Sequence, residues 1–172
     1  VCYLMELPER AAKSVQDTSA LPLVQIRAVN VSPRFSCREW VYRVSDHVYE
    51  TDYYHAFFLQ PGSMIFELMY EYYSELPYAR VISAPYRRPH ADYMLELHVS
   101  KLYGDFRDEH APAAVLEIQA RLLPDMERAE KAPMLRRYEQ RIMLNDSSPD
   151  SLIAAWDEAL VKIFKELEED MR

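Results

Sequence analysis

Between Tyr93 and the C-terminus the chain changes period once, and this change constrains the fold more than any other feature of the sequence. Tyr93, Leu95, Leu97 and Val99 alternate with Asp92, Glu96, His98 and Ser100. Leu116, Ile118, Ala120 and Leu122 alternate with Glu117, Gln119 and Arg121. A third run, residues 134–144, offers Tyr138, Ile142 and Leu144. Period two is the mark of a strand with one buried and one wet face, so three such runs in succession predict an antiparallel meander. Ser148 then supplies an N-cap and Pro149 a first helical residue. Beyond them Leu152, Ile153, Trp156, Leu160, Ile163, Phe164, Leu167 and Met171 recur at helical spacing, opposite Asp157, Glu158, Lys162, Lys165, Glu166 and Glu169. A sheet with one apolar face and a helix of about six turns with one apolar stripe both need a cover, and each can cover the other.

The upstream half contains the same two periods. Residues 1–7 read as a short strand closed by Pro8, and residues 9–20 as a polar connection. Residues 23–31 are rich in β-branched side chains, with Val24, Ile26 and Ala28 expected towards the core. Residues 40–44 predict a strand with Trp40, Tyr42 and Val44 on one face, followed by a turn at Ser45-Asp46-His47 and a return strand over 48–50. Pro61 opens a helix through Met64, Ile65, Leu68, Met69, Tyr72, Tyr73 and Leu76, which Pro77 stops; residues 80–83 follow as a short strand. The order strands, helix, strands, helix predicts a single α/β domain over residues 1–172, with α+β as the variant. Its sheet should be mixed and mainly antiparallel, with two main helices packed on it at about 61–76 and 148–171.

Composition removes several classes of function. The only glycines are Gly62 and Gly104, so neither a phosphate-cradling loop nor a dinucleotide fingerprint can be written, and no Gly-x-Ser-x-Gly elbow exists. Twenty basic against 28 acidic residues leave a net charge of −8, the wrong sign for holding phosphate backbones; no nucleic-acid partner is expected. Cys2 and Cys37 form no Cys-x-x-Cys motif. A disulfide between them and two separate thiols are both open readings. No apolar run approaches the ~20 residues of a membrane-spanning helix. The opening Val1-Cys2-Tyr3, without initiator Met or leader, reads as a processed product.

Chemistry-bearing side chains are densest over residues 41–64. Arg43, Asp46, His47, Glu50, Asp52 and His55 stand among Tyr42, Tyr49, Tyr53, Tyr54, Phe57 and Phe58. Carboxylates and histidines can do acid–base work or hold a metal, yet the three-residue spacing of Asp52 and His55 is diagnostic only on a helix. The competing reading pairs Arg43 with Asp46 across a turn and half-buries the tyrosines. That reading is the stronger one. A small domain that must also bury Trp40, Trp156 and two helix stripes leaves aromatic surface over, and such surface tends to meet partners. The expected partner or oligomer interface is therefore Tyr42, Arg43, Asp46, Tyr49, Glu50, Asp52, Tyr53, Tyr54, His55 and Phe57. No catalytic residue, metal ligand or cofactor is assigned. The stripe of Met64, Met69, Tyr72 and Tyr73 reads as core before it reads as a lipid groove.

Val31-Ser-Pro, Val41-Tyr-Arg, Asp46, Tyr49-Glu50, Asp52-Tyr-Tyr-His55 and Pro61 together resemble the ABC-type transport auxiliary lipoprotein family, of the paraquat-inducible protein C type. The resemblance extends to Tyr3-Leu4-Met5-Glu6-Leu7-Pro8, to Arg80-Val-Ile-Ser-Ala-Pro85 and to Ala91-Asp92-Tyr-Met-Leu-Glu-Leu. Phe57 stands near a place where the family often has Trp. The resemblance implies a non-catalytic adaptor in the periplasm, tethered to the outer membrane by an N-terminal lipid anchor in the full-length protein. It also implies an ABC transporter with a mammalian-cell-entry-type substrate-binding subunit, moving lipids or other apolar cargo between the inner and outer membranes. Self-association into a homo-oligomer follows from the same resemblance. A soluble lipid-binding carrier and a small hydrolase working through Glu50 and Asp52 are the alternatives.

Overall fold

The computed structural model describes residues 1–8, 21–83, 91–125 and 132–172. The expected connection over 9–20, the Ala84-Pro85 end of the family motif and His90 lie outside the described residues. Ten elements follow in order: β1 (Cys2–Tyr3), β2 (Leu23–Val31), β3 (Glu39–Arg43), β4 (Tyr49–Phe57), α1 (Pro61–Ser74), β5 (Arg80–Ser83), β6 (Tyr93–Asp105), β7 (Ala113–Pro124), β8 (Met134–Met143) and α2 (Pro149–Met171). All eight strands share one mixed sheet.

β6 organises that sheet. One edge runs antiparallel with β7 over its whole length, and β7 pairs antiparallel with β8, which is the expected meander. The other edge is divided, with β2 parallel beside residues 93–99 and β3 parallel beside Gly104 and Asp105. The pairings β2–β5 and β1–β4 are parallel too. The longest ladders are thus antiparallel, and the upstream strands, returning after α1 or a long connection, join in parallel. Gly104 is required where β3 meets β6: a Cβ there would lie 2.7 Å from the Phe106 ring and 3.2 Å from both Leu152 and Tyr42.

α1 lies over β2 and β5, and α2 over β7 and β8. Leu95, Leu97, Val99, Leu116, Ile118 and Leu122 meet Trp156, Leu160, Ile163, Phe164 and Leu167 in one core. The helices are joined by hydroxyls: Tyr73 donates to the Phe164 carbonyl and Tyr72 to buried Glu168, each at 3.0 Å. Ser148 caps α2 through its side chain, which accepts from the Ser151 N–H at 3.1 Å.

The outer face is polar but closed by ion pairs. Glu117 is nearly inaccessible, yet Lys101 reaches it at 2.9 Å and Ser100 donates to it. Buried Asp105 accepts from Arg107 at 2.8 Å and from Arg141. Arg107 continues to Asp46 at 2.9 Å and so anchors the tip of the β3–β4 hairpin.

Three expectations are corrected. Ala28 does not face the core: a bulge between Ile26 and Ala28 reverses the phase of β2, and Val29 and Val31 pack against the core instead. The first strand is two residues long, because residues 4–8 leave the sheet; Met5 enters the core and the Glu6 N–H donates to Asp157 at 3.1 Å. Asp157 is therefore half-buried rather than solvated, and burial pushes its carboxyl up to about 7 against the lowering effect of that N–H.

Candidate partner interface

The expected interface residues fall on β3, β4 and the turn between them, where the ladder is irregular. Val41 faces Thr51 and Glu39 faces Ala56. Between those pairs β3 supplies one residue, Trp40, whereas β4 supplies four, residues 52–55. The surplus must arch out of the sheet.

Asp52 holds the arch. Its Oδ1 accepts from the backbone N–H of Tyr54 at 2.7 Å and of His55 at 3.1 Å, closing an Asx-type turn. Its Oδ2 accepts the Tyr42 hydroxyl and lies 2.7 Å from His55 Nδ1. Partial burial acts to raise this carboxyl, but the hydrogen bonds outweigh it and hold the group down at about 2. With Asp52 ionised, His55 Nδ1 carries the proton of their hydrogen bond. Burial, and then its hydrogen bond to the Asp52 carboxylate, drive the Tyr42 hydroxyl well above its ordinary range. The His55 ring stacks on Trp40 at 5.7 Å, and Trp40 in turn meets Trp156 edge-on at 5.3 Å. The turn is thus rooted in the core.

Tyr53 and Tyr54 project from the arch, 93% and 79% exposed. Neighbouring strand residues point to opposite faces, so full exposure of both means that neither face is covered here. Tyr49 and Glu50 are also exposed, and Asp46 is exposed at the hairpin tip. Arg43 donates to the Asp46 carbonyl at 2.9 Å and sits over the Tyr49 ring at 5.7 Å, so the expected pairing across the turn is present.

The interface set changes in composition. Phe57 is 2% exposed and packs on Trp40 and Trp156, so it belongs to the core. Tyr42, Asp52 and His55 support the arch from below. Phe58, counted with the surplus aromatics of this segment, is 60% exposed, and Leu4 is a further exposed apolar group beside it that the sequence did not mark. The signal was the Asp52-x-Tyr-His pattern: an Asx turn inside a strand resets which of Phe57 and Phe58 points inward.

The chemistry of the cluster is restrictive. Asp52 already accepts from four groups and is held at about 2, which makes it a weak base at neutral pH. Glu50 stands apart from it in solvent. Among the described residues no three His, Cys, Asp or Glu side chains gather as a metal site. Cys2 and Cys37 stand as exposed separate thiols, with Arg38 Nη2 3.4 Å from Cys2 Sγ. No described helix is long and apolar enough to cross a membrane.

Known structures share this architecture. Protein XCC0632 from Xanthomonas campestris superposes with a TM-score of 0.76 at 14% identity, covering 97% of this chain and 92% of its own. A second structure, of an uncharacterized protein, gives 0.77 at 14% identity with 99% and 97% coverage. Hypothetical protein CT253 from Chlamydia trachomatis gives 0.55 at 10% identity, covering 88% and 96%. At such identities the likeness shows a shared fold. No curated protein matches the sequence. Residues 3–167, nearly all of the chain and including the arch with its Asp52 anchor, match the pattern of one family, and the chain belongs to it: the ABC-type transport auxiliary lipoprotein components.

Proposed function

We propose that this chain is a non-catalytic adaptor of an ABC transport system that moves lipids or other apolar cargo between the inner and outer membranes. It works in the periplasm, tethered to the outer membrane by a lipid anchor. It docks through the Tyr53–Tyr54 arch, either on the system's mammalian-cell-entry-type substrate-binding subunit or on a neighbouring copy of itself. One observation carries this reading: two adjacent tyrosines are almost fully exposed on a turn whose anchor is rooted in the core. Rigid tyrosines lose little conformational freedom on binding and are enriched among residues that dominate interface energy. Family membership supplies the transport context.

The test is the double substitution Tyr53→Ser/Tyr54→Ser, followed in parallel by sizing and by binding to the substrate-binding subunit. Hot spots of this kind are worth about 3 kcal/mol together, or roughly a hundredfold in affinity. The association that uses the arch should weaken by that factor while the melting temperature stays unchanged. A folded double variant that assembles and binds like the parent refutes the reading.

A further inference from the structure

A cavity of about 970 Å³ opens at the C-terminal ends of both helices. Its floor is the core face of the sheet, with Val24, Ile26, Leu95 and Leu122, and its walls include Tyr73 and Leu76. Native cores rarely keep voids larger than a water molecule, and this volume lies at the upper end of small-molecule sites. Hydrogen bonds to fixed backbone brace the walls against collapse. Tyr73 donates to the Phe164 carbonyl at 3.0 Å, Tyr78 to the Glu168 carbonyl at 3.2 Å, and Arg80 Nε to the Leu21 carbonyl at 3.2 Å. An apolar wall gives water few partners, so the space favours an apolar occupant.

The mouth is polar. Arg80 and Arg172 border it in a chain of net charge −8. Two acidic groups stand beside them: Asp92 is engaged by the Leu23 N–H at 2.7 Å, and Glu168 pairs with Arg172 at 2.6 Å, so an anionic head is assigned to Arg80. Guanidinium groups recognise carboxylate and phosphate alike. We propose that the cavity holds the hydrocarbon chain of a single-chain amphiphile whose anionic head meets Arg80 at the mouth. This site goes beyond the adaptor reading and does not rest on it, since the Tyr53–Tyr54 arch takes no part.

The experiment titrates delipidated protein with cis-parinaric acid, whose fluorescence rises in apolar surroundings. Palmitate and lysophosphatidate serve as competitors, separating a carboxylate head from a phosphate head. The parent should bind one probe per chain saturably. Ala79→Trp, which fills the cavity from its wall, should weaken binding at least about tenfold with the spectrum of a folded protein. Arg80→Glu should weaken it about fivefold or more, and Arg80→Lys should keep it near the parent. Should Ala79→Trp fail to fold, Val81→Trp on half-buried β5 makes the same test. Absence of saturable binding overturns the proposal, as does parent-like binding by a folded cavity-filling variant. Loss of probe binding in Tyr53→Ser/Tyr54→Ser overturns it as well, by placing the probe at the arch. Parent-like binding by Arg80→Glu removes the anionic head from it.

Discussion

Asp52→Asn tests whether one carboxylate holds the arch. The parent group is 9% exposed and held at about 2, against an ordinary value of 3.8. That difference corresponds to about 2.5 kcal/mol of stability at neutral pH. The sign follows from the depressed value: the contribution is complete above the ordinary carboxylate range and is lost as pH falls towards about 2. Asparagine keeps the size and one acceptor for the Tyr54 and His55 amides, but turns an N–H₂ towards the Tyr42 hydroxyl and His55 Nδ1. The variant should melt about 5–10 °C below the parent at pH 7, and the gap should close on acidification. Trp40 and Trp156 are both fully buried and Trp40 touches the arch through His55, so their fluorescence reports the transition. Buried Asp105, held low first by its hydrogen bond with Arg107, adds its own acid sensitivity to both proteins, and this cancels in the difference. A variant that melts within a degree of the parent at pH 7, with the same acid profile, refutes the argument.

Asp105→Asn should cost about 3 kcal/mol, read as a lower urea midpoint, because Arg107 and Arg141 converge on a buried carboxylate. Burial raises the Asp157 carboxyl to about 7, so the unfolded chain ionises first and stability should fall as pH rises from about 4 to about 7; in Asp157→Asn, melting at pH 5 and pH 8 should show that part of the slope gone. Gly104→Ala should lower the melting temperature, at a cost of about 1–3 kcal/mol, because its Cβ meets the Phe106 ring at 2.7 Å. Thiol counting on unfolded, unreduced protein decides the pairing of Cys2 and Cys37: two free thiols exclude the disulfide.

The elements were legible wherever one period persisted. The strands β6, β7 and β8 and the stripe of α2 each carry ten or more residues of pattern, although β7 buries both faces over residues 113–118. Of the upstream strands, β2, β3 and β5 were legible as strands but not in their partners, whereas β4 runs on to Phe57, well past the expected return strand over 48–50, because the Asp52 turn hides its alternation. Nothing in residues 23–31 says that β2 will lie parallel to β6, because pairing depends on which edge the later meander leaves open. Phase was lost at bulges. The shift at Arg27 turned Ala28 away from the core, and a second one between Val99 and Lys101 moved Leu102 onto the core face; its neighbour Tyr103 is buried on the opposite face, where Phe35 and Tyr49 pack on its ring.

The arch shows the same limit at the candidate site. Composition alone marked residues 41–64 as unusual, and Tyr53 and Tyr54 as surplus aromatics. What it could not assign was the role of Asp52, because the donors that define that role are two backbone amides and the side chains of Tyr42 and His55. A carboxylate and a histidine three residues apart look like acid–base machinery until the carboxylate's lone pairs are accounted for. Once all four are taken, the pair becomes a brace, and the exposed residues between its members become the part available to another molecule. The polar groups that brace this turn are thereby spent on geometry, and in the proposed docking role the contact falls to the two aromatic rings they hold out.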